Sequence, residues 1–101
     1  MKTIKHFLNG KSFSGNSTRT GKIFNPATGE QSAEVKLASE KDVNEAVINA
    51  KSAFEKWANT PPLQRARVMF KFKEIIEKNS DELTKIIVSE HGKVYEDAKG
   101  S

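Results

Sequence analysis

The side chains best suited to acid–base or metal chemistry in this sequence are its two histidines, His6 and His91. His91 directly follows Glu90, and Asp97 lies a short distance further along the chain. A metal site needs ligands that converge, such as two histidines one helical turn apart. Neither histidine has a partner at such a spacing. The sequence therefore predicts two surface histidines and no metal ligands.

The sequence also lacks the motifs of catalytic nucleophiles and of phosphate-binding loops. The chain has no cysteine, which excludes a thiolate nucleophile, a disulfide and a cysteine-bound metal within it. No G-x-S-x-G turn is present among its serines. The glycines form neither G-x-G-x-x-G nor a Walker-type loop; they are Gly10, Gly15, Gly21, Gly29, Gly92 and Gly100. The residues thus predict no catalytic, cofactor-binding or metal-binding position.

The net charge of +4 raises the question of a nucleic-acid partner. The lysines are scattered, however, and alternate with carboxylates, as in Lys41-Asp42, Glu55-Lys56 and Glu77-Lys78. Such a pattern is typical of a solvated face with mixed charge, so we expect no nucleic-acid partner. A small basic binding module stays open as an alternative function, and a self-contained scaffold domain stays open as another.

The expected compartment is the cytoplasm. No apolar run approaches the roughly 20 residues that span a bilayer, so no membrane partner is expected. The amino terminus lacks the long apolar stretch of a secretory signal. The absence of cysteine is compatible with a reducing compartment.

Residues 1–38 have the pattern of short strands and turns. Asn9-Gly10 predicts a type I′ hairpin turn because both residues tolerate positive φ. Alternation places Ala33, Val35 and Leu37 on one face of a strand. The expected elements are strand Ile4–Leu8, the Asn9-Gly10 turn, strand Lys11–Phe13, a loop over Ser14–Gly21, strand Lys22–Phe24, a turn over Asn25–Glu30 and strand Gln31–Leu37.

Residues 39–101 are predicted to be helical. Ser39 suits an N-cap, and Asp42 three residues later indicates a capping box. The first helix should end near Asn59, where two prolines follow, and Thr60 is expected to cap the second. Helical spacing predicts two apolar faces. They are Val43, Ala46, Val47, Ala50, Ala53, Phe54 and Trp57 on the first helix, and Leu63, Ala66, Met69, Phe70, Phe72, Ile75 and Ile76 on the second.

The rest of the chain suggests a piece of a larger protein. The apolar arc of the second helix covers more than half its circumference, which implies contacts on two sides. A third helix is expected from Ser80 to Gly92, with Leu83, Ile86 and Ile87 as its buried face. A fourth opens at Tyr95, but the sequence stops within about one turn, too short to be stable alone. We therefore expect a further polypeptide to cover the apolar arc.

Taken in order, these motifs resemble the amino terminus of an NAD-dependent aldehyde dehydrogenase. The matching pieces are Phe7-Leu8-Asn9-Gly10-Lys11, Ile23 to Glu30, Val35, Ser39, Ala46-Val47, Ala50, Ala53-Phe54, Trp57, Arg65, Ile75, Glu90-His91-Gly92-Lys93 and Asp97-Ala98-Lys99-Gly100. The last two pieces are most similar to the CoA-acylating methylmalonate-semialdehyde branch. The start at Thr3 to Phe7 also suits that branch.

The resemblance implies an α+β piece of an α/β enzyme: short amino-terminal antiparallel strands followed by three helices and the start of a fourth. Residues 1–101 would form the amino-terminal part of an NAD-binding domain, with strands and turns over 1–38 and helices over 39–101. The parent would be a homo-oligomer, and the partner of this chain would be the remainder of the dehydrogenase polypeptide.

The implied reaction converts an aldehyde, NAD and CoA into acyl-CoA and NADH. The family's nucleophilic cysteine, its oxyanion-binding asparagine and its NAD-gripping loop match nothing in these residues. The chain is therefore expected to be an inactive scaffold that binds neither NAD nor CoA alone. Some family members hold a monovalent cation through backbone oxygens at positions matching Phe24 and Glu90, and such a site stays an open question here.

Overall fold

A computed structural model describes residues 1–101 and gives five short strands followed by four helices. The elements are β1 (Lys2–Ile4), β2 (His6–Leu8), β3 (Lys11–Phe13), β4 (Thr20–Phe24), β5 (Gln31–Lys36), α1 (Glu40–Ala58), α2 (Pro62–Lys78), α3 (Ser80–His91) and α4 (Tyr95–Gly100). The predicted order of strands, three helices and a fourth short helix is confirmed.

The chain divides into two compact units. Unit 1 comprises Met1–Phe24 and Gln31–Asn59, and unit 2 comprises Asn25–Glu30 and Thr60–Ser101. Unit 1 therefore contains all five strands and α1. Unit 2 contains the other three helices together with the turn that joins β4 to β5.

The sheet of unit 1 has the order β1-β5-β4. The β4–β5 pairing is antiparallel, as expected, but β1 runs parallel to β5, with Ile4 opposite Val35. The single strand predicted from Ile4 to Leu8 is wrong. It is two strands, because β1 pairs with β5 whereas β2 pairs with β3. The predicted loop over Ser14–Gly21 is also too long, because β4 already begins at Thr20.

The predicted hairpin is confirmed in the two-stranded sheet of β2 and β3. Asn9 has φ of 53° and Gly10 has φ of 76°, the positive values that a type I′ turn requires. The turn sets an antiparallel register in which Leu8 pairs with Lys11 and His6 pairs with Phe13.

The boundary between α1 and α2 is set by the two prolines. The helix α1 ends at Ala58 with Asn59 as C-cap, as predicted. The predicted N-cap of α2 is wrong, because Pro61 and not Thr60 occupies that position. The residue before a proline is driven out of the helical region, and Pro61 is accordingly extended, with ψ of 144°. Pro62 is then tolerated as the first helical residue.

In unit 2, α3 begins at Ser80 as predicted and ends at His91. Gly92 follows as its C-cap, with the left-handed φ of 82° that is typical of this position. The Asn25–Glu30 turn is also confirmed. The Asn25 amide donates to the Glu30 carbonyl at 2.9 Å, and the Gly29 amide donates to the Asn25 carbonyl at 2.8 Å.

The buried core is very small. Only two apolar residues are buried, Ala33 in unit 1 and Ala98 in unit 2. The buried face predicted for α3 is wrong, because Leu83 and Ile86 are exposed and Ile87 is only half-buried. Most apolar positions on α1 and α2 are exposed as well, and Phe54, for example, is 64% exposed. Periodicity shows which side chains share a face, but not whether anything covers that face. None of the helices is long and apolar enough to cross a bilayer.

Candidate functional site

The two histidines lie in different surroundings and do not form a metal site. His91 is exposed at the end of α3, as predicted. The interpretation of His6 as a surface residue is wrong, because it is half-buried and its ring centroid lies 6.2 Å from that of Phe13. No group of three or more His, Cys, Asp or Glu side chains could hold a metal ion. Whether a cation is held by backbone oxygens alone, as raised above for Phe24 and Glu90, stays an open question.

The most elaborate polar arrangement is the buried carboxylate of Asp42 at the start of α1. The predicted capping box is confirmed: the Ser39 hydroxyl accepts from the Asp42 amide at 3.1 Å, and Asp42 Oδ2 accepts from the Ser39 amide at 2.9 Å. Asp42 Oδ1 also accepts from the Asn16 amide at 2.9 Å and from Asn16 Nδ2 at 3.1 Å. One side chain therefore caps a helix and ties the β3–β4 loop to it.

Because so many donors converge on Asp42, its charged form is stabilised. The backbone N–H of Ser39 contributes most, and together with the Asn16 donors it lowers the pKa of Asp42 from 3.8 to about 2. Desolvation opposes this change. The backbone at Gly15 lies so close to this carboxylate that a Cβ placed there would be 2.6 Å from Asp42 Oδ2. Sequence reasoning identified Ser39 but missed Gly15 and Asn16, since nothing local links them to α1.

None of the helix N-termini fits the phosphates of a dinucleotide such as NAD. A helix N-terminus attracts anions through its free N–H groups. The carboxylate of Asp42 already occupies that position on α1. At α2 the N-cap Pro61 and the first helical residue Pro62 both lack an N–H. The first turns of α3 and α4 carry two carboxylates each. The carboxylates and prolines at these helix N-termini thus disfavour a dinucleotide phosphate there.

Two distant segments meet in unit 2. The Asn25–Glu30 turn approaches the C-cap of α3 so closely that a Cβ at Gly92 would lie 2.9 Å from Pro26 Cγ. Two constraints therefore favour glycine at position 92: its φ is positive, and the ring of Pro26 leaves no room for a Cβ. The arrangement packs the Asn-Pro turn against the Glu-His-Gly-Lys segment.

The short helix α4 is attached to α3 through Asp81. Tyr95 Oη donates to Asp81 Oδ1 at 2.7 Å, and Lys85 Nζ lies 2.9 Å from Asp81 Oδ2. The hydrogen bond from Tyr95 lowers the pKa of Asp81 and raises that of Tyr95. Thr84 and Ala98 are the buried residues of these two helices. On α3 the buried residue is therefore not one of the predicted apolar positions. It is Thr84, whose hydroxyl donates to the Ser80 carbonyl.

Two apolar cavities are further features with functional potential. In unit 1, a cavity of about 450 Å³ lies between the β2–β3 hairpin and α1, lined by His6, Phe13, Val43, Val47 and neighbouring apolar residues. In unit 2, a second cavity of about 290 Å³ is bounded by the end of α2, α3 and α4. Contiguous apolar surface of this kind is typical of an interaction site. The structure therefore offers apolar surfaces of the kind that can bind another polypeptide.

Comparison with known proteins agrees with the motifs. Residues 13–101 match the profile of the Aldehyde dehydrogenase family. The chain belongs to the aldehyde dehydrogenase family. The malonate-semialdehyde dehydrogenase of Pseudomonas aeruginosa is 43% identical over 100 residues, which are 99% of this chain and 20% of that relative. A Geobacillus kaustophilus relative, malonate-semialdehyde dehydrogenase 3, is 40% identical over 99 residues, again 20% of its length.

Solved structures of the family show the same fold over this stretch. The methylmalonate-semialdehyde dehydrogenase of Oceanimonas doudoroffii superposes with a TM-score of 0.94 at 50% identity, and covers 99% of this chain. A Sinorhizobium meliloti protein described as a methylmalonate-semialdehyde dehydrogenase, solved with NAD, gives a TM-score of 0.96 at 48% identity. In each case this chain spans about a fifth of the other. The resemblance to the aldehyde dehydrogenases is confirmed.

Proposed function

We propose that this chain is the amino-terminal part of a CoA-acylating, NAD-dependent methylmalonate- or malonate-semialdehyde dehydrogenase of the cytoplasm, and that it acts there as scaffold. One observation carries the proposal: relatives with these names match nearly the whole chain at 43–50% identity, yet the match is a fifth of their length. The proposal includes a homo-oligomeric parent and inactivity of the 101-residue chain alone.

The reaction proposed for the parent needs groups that these residues do not supply. An aldehyde, NAD and CoA would give acyl-CoA and NADH, through attack of a cysteine thiolate on the aldehyde carbon. This chain has no cysteine. Carboxylates or prolines occupy its helix N-termini, where a dinucleotide phosphate would otherwise be attracted. What its residues can do is hold strands, turns and helices in position, as Asp42 and Gly92 illustrate.

Its exposed apolar side chains support a scaffold that binds further polypeptide. Twenty large hydrophobic residues are exposed, among them Phe54, Met69, Phe70 and Phe72 at 56–69%. Burying one such side chain contributes roughly 1.5–3 kcal/mol. Leaving so many in water is unfavourable for a chain that works alone, whereas covering them would stabilise both this chain and its partner.

A chimera tests the proposal. The 101-residue chain is fused to the remaining four fifths of the Pseudomonas aeruginosa malonate-semialdehyde dehydrogenase, in place of the matching segment. We expect NADH formation from malonate semialdehyde, NAD and CoA with the chimera, and none with the chain alone. The matched control is the chimera in which the relative's nucleophilic cysteine is replaced by serine, and it should be inactive.

Two outcomes would contradict the proposal. Turnover by the purified 101-residue chain would show that it is more than scaffold. A chimera that melts cooperatively but forms no NADH, while the unmodified relative is active in the same assay, would show that these residues do not belong to this class of dehydrogenase.

A further inference from the structure

The Asn9-Gly10 turn places a carboxamide beside an unobstructed backbone nitrogen. Both residues are exposed at the end of the β2–β3 hairpin. The hairpin ladder ends at the Leu8–Lys11 pair, and the Gly10 amide donates to no other backbone carbonyl. A Cβ at Gly10 would meet no atom within 4 Å outside its chain neighbours, so the space around it is open. The Asn9 side chain makes no hydrogen bond either.

Other asparagines that precede a small residue are held in place. Asn16 Nδ2 donates to Asp42 Oδ1 at 3.1 Å, and the Asn16 backbone amide donates to the same carboxylate. Asn79 Nδ2 donates to the Ile75 carbonyl at 2.8 Å. Each of these asparagines is followed by serine, whose Cβ shields its backbone nitrogen more than a glycine hydrogen does. Asn9 is therefore distinguished both by its successor and by its freedom.

An asparagine followed by glycine can react without an enzyme, and asparagine is among the thermally labile residues. The Gly10 N–H loses its proton to solvent base, and the nitrogen attacks Asn9 Cγ to form a C–N bond. The bond from Cγ to Nδ2 breaks, and the amino group takes up a proton and leaves as ammonia. Water then opens the resulting cyclic imide at either carbonyl carbon. The products are aspartate or isoaspartate, with no change in oxidation state.

Ring closure requires rotation about the bond between Cα and the carbonyl carbon of Asn9, so the turn must open transiently. The strands β2 and β3 have three residues each, and they pair only with one another. A two-stranded hairpin is only marginally stable in water. Opening this turn therefore costs little compared with freeing Asn16 from the capping box of α1.

We propose that Asn9-Gly10 is a site of spontaneous modification, the first asparagine of this chain to be converted, and that its isoaspartyl product opens the β2–β3 hairpin. Isoaspartate adds a methylene to the main chain. A two-residue type I′ loop cannot absorb this extra atom, because its register depends on the φ values of 53° and 76°. The hairpin lines the cavity of about 450 Å³ beside α1, so the reaction would also change this apolar surface.

The aspartyl product provides a control within the same reaction. Its main chain is unaltered, and Asp-Gly suits a type I′ turn as well as Asn-Gly does. Asn9→Asp therefore reproduces this product and should keep the hairpin. Asn9→Gly is the second control, because it removes the carboxamide while Gly-Gly still permits the turn.

The test follows the 101-residue chain during incubation at mildly basic pH, in buffer and in urea. Mass spectrometry of its peptides measures the conversion of each asparagine, and chromatography separates the aspartyl from the isoaspartyl peptide. Amide hydrogen exchange over β2 and β3 is then compared between fresh and incubated chain, and between Asn9→Asp and Asn9→Gly. Urea supplies the rates that the sequence has without its fold.

We expect Asn9 to react before Asn16 and Asn79 in buffer. The ratio of the Asn9 rate to the Asn16 rate should be about tenfold larger in buffer than in urea, because hydrogen bonds hold only Asn16 in the folded chain. Hairpin amides should exchange faster in the isoaspartyl product and stay protected in Asn9→Asp and in incubated Asn9→Gly. An equal ratio in both solvents, earlier conversion of Asn16 or Asn79, or an isoaspartyl chain with unchanged protection would overturn the inference.

Discussion

Replacing Gly92 by alanine should test whether the two motif segments of unit 2 really pack together. Two costs are expected. Gly92 has φ of 82°, and a left-handed residue with a Cβ costs about 1–2 kcal/mol. The new Cβ would also lie 2.9 Å from Pro26 Cγ and 3.5 Å from Pro26 Cβ. Since the pyrrolidine ring cannot swing away, this overpacking should cost about 1–3 kcal/mol more.

Gly29→Ala is the matched control. Gly29 lies in the same unit and has φ of 73°, but a Cβ there would meet nothing within 4 Å. It should therefore show only the cost of the left-handed backbone. Urea denaturation followed by helical circular dichroism measures both variants, in the isolated chain and in the chimera. The difference between them is expected to be about 1–3 kcal/mol in the free energy of unfolding.

A double-mutant cycle attributes this difference to the contact. Pro26→Ala removes Cγ, the nearer of the two ring atoms, so Gly92→Ala should be better tolerated in its presence. The cost of Gly92→Ala is expected to fall towards that of Gly29→Ala. Equal costs for the two glycine substitutions, or additivity of Gly92→Ala with Pro26→Ala, would refute the packing of the turn against the C-cap of α3.

Three further outcomes are expected in the isolated chain. Gly15→Ala should reduce the helical signal more than Gly10→Ala, because only the Cβ at position 15 would collide with the carboxylate of Asp42; equal losses would contradict this. The free energy of unfolding should be higher for the wild type than for Asp42→Asn, because the folded state lowers the pKa of Asp42. This difference should be complete above pH 3.8 and vanish as the pH falls through about 2. A difference that stays constant across this range in acid denaturation would contradict it. Asp81→Asn should move the absorbance titration of Tyr95, the only tyrosine, to lower pH, and an unchanged midpoint would exclude their hydrogen bond.

Local signals predicted the features that a few neighbouring residues determine. The Asn9-Gly10 hairpin turn, the Ser39 cap of α1 and the Gly92 end of α3 all follow from backbone conformations or side-chain oxygens within one turn of chain. The N-cap of α2 was wrongly predicted because two local signals compete there. Thr60 is a good capping residue in isolation, but Pro62 forces Pro61 into an extended conformation and so determines where the helix can begin.

Long-range pairings could not be predicted, because they leave no periodic signal. The parallel β1–β5 ladder joins residues that are about thirty positions apart, as in Ile4 with Val35. The Asn16 donors to Asp42 cross 26 positions. In both cases the sequence shows a strand former or a polar loop residue, whereas the choice of partner depends on the tertiary fold. The buried face of α3 was wrongly predicted for a related reason, since an apolar stripe looks the same whether or not another chain covers it.

The residues that carry the family resemblance have a physical explanation that involves no chemistry. Asn9 and Gly10 supply the positive φ values of a hairpin, and Gly92 leaves room for the ring of Pro26. These are requirements of packing, and they would hold in any dehydrogenase that uses this scaffold, whatever aldehyde it oxidises. The motifs therefore specify the family's fold more strongly than its substrate.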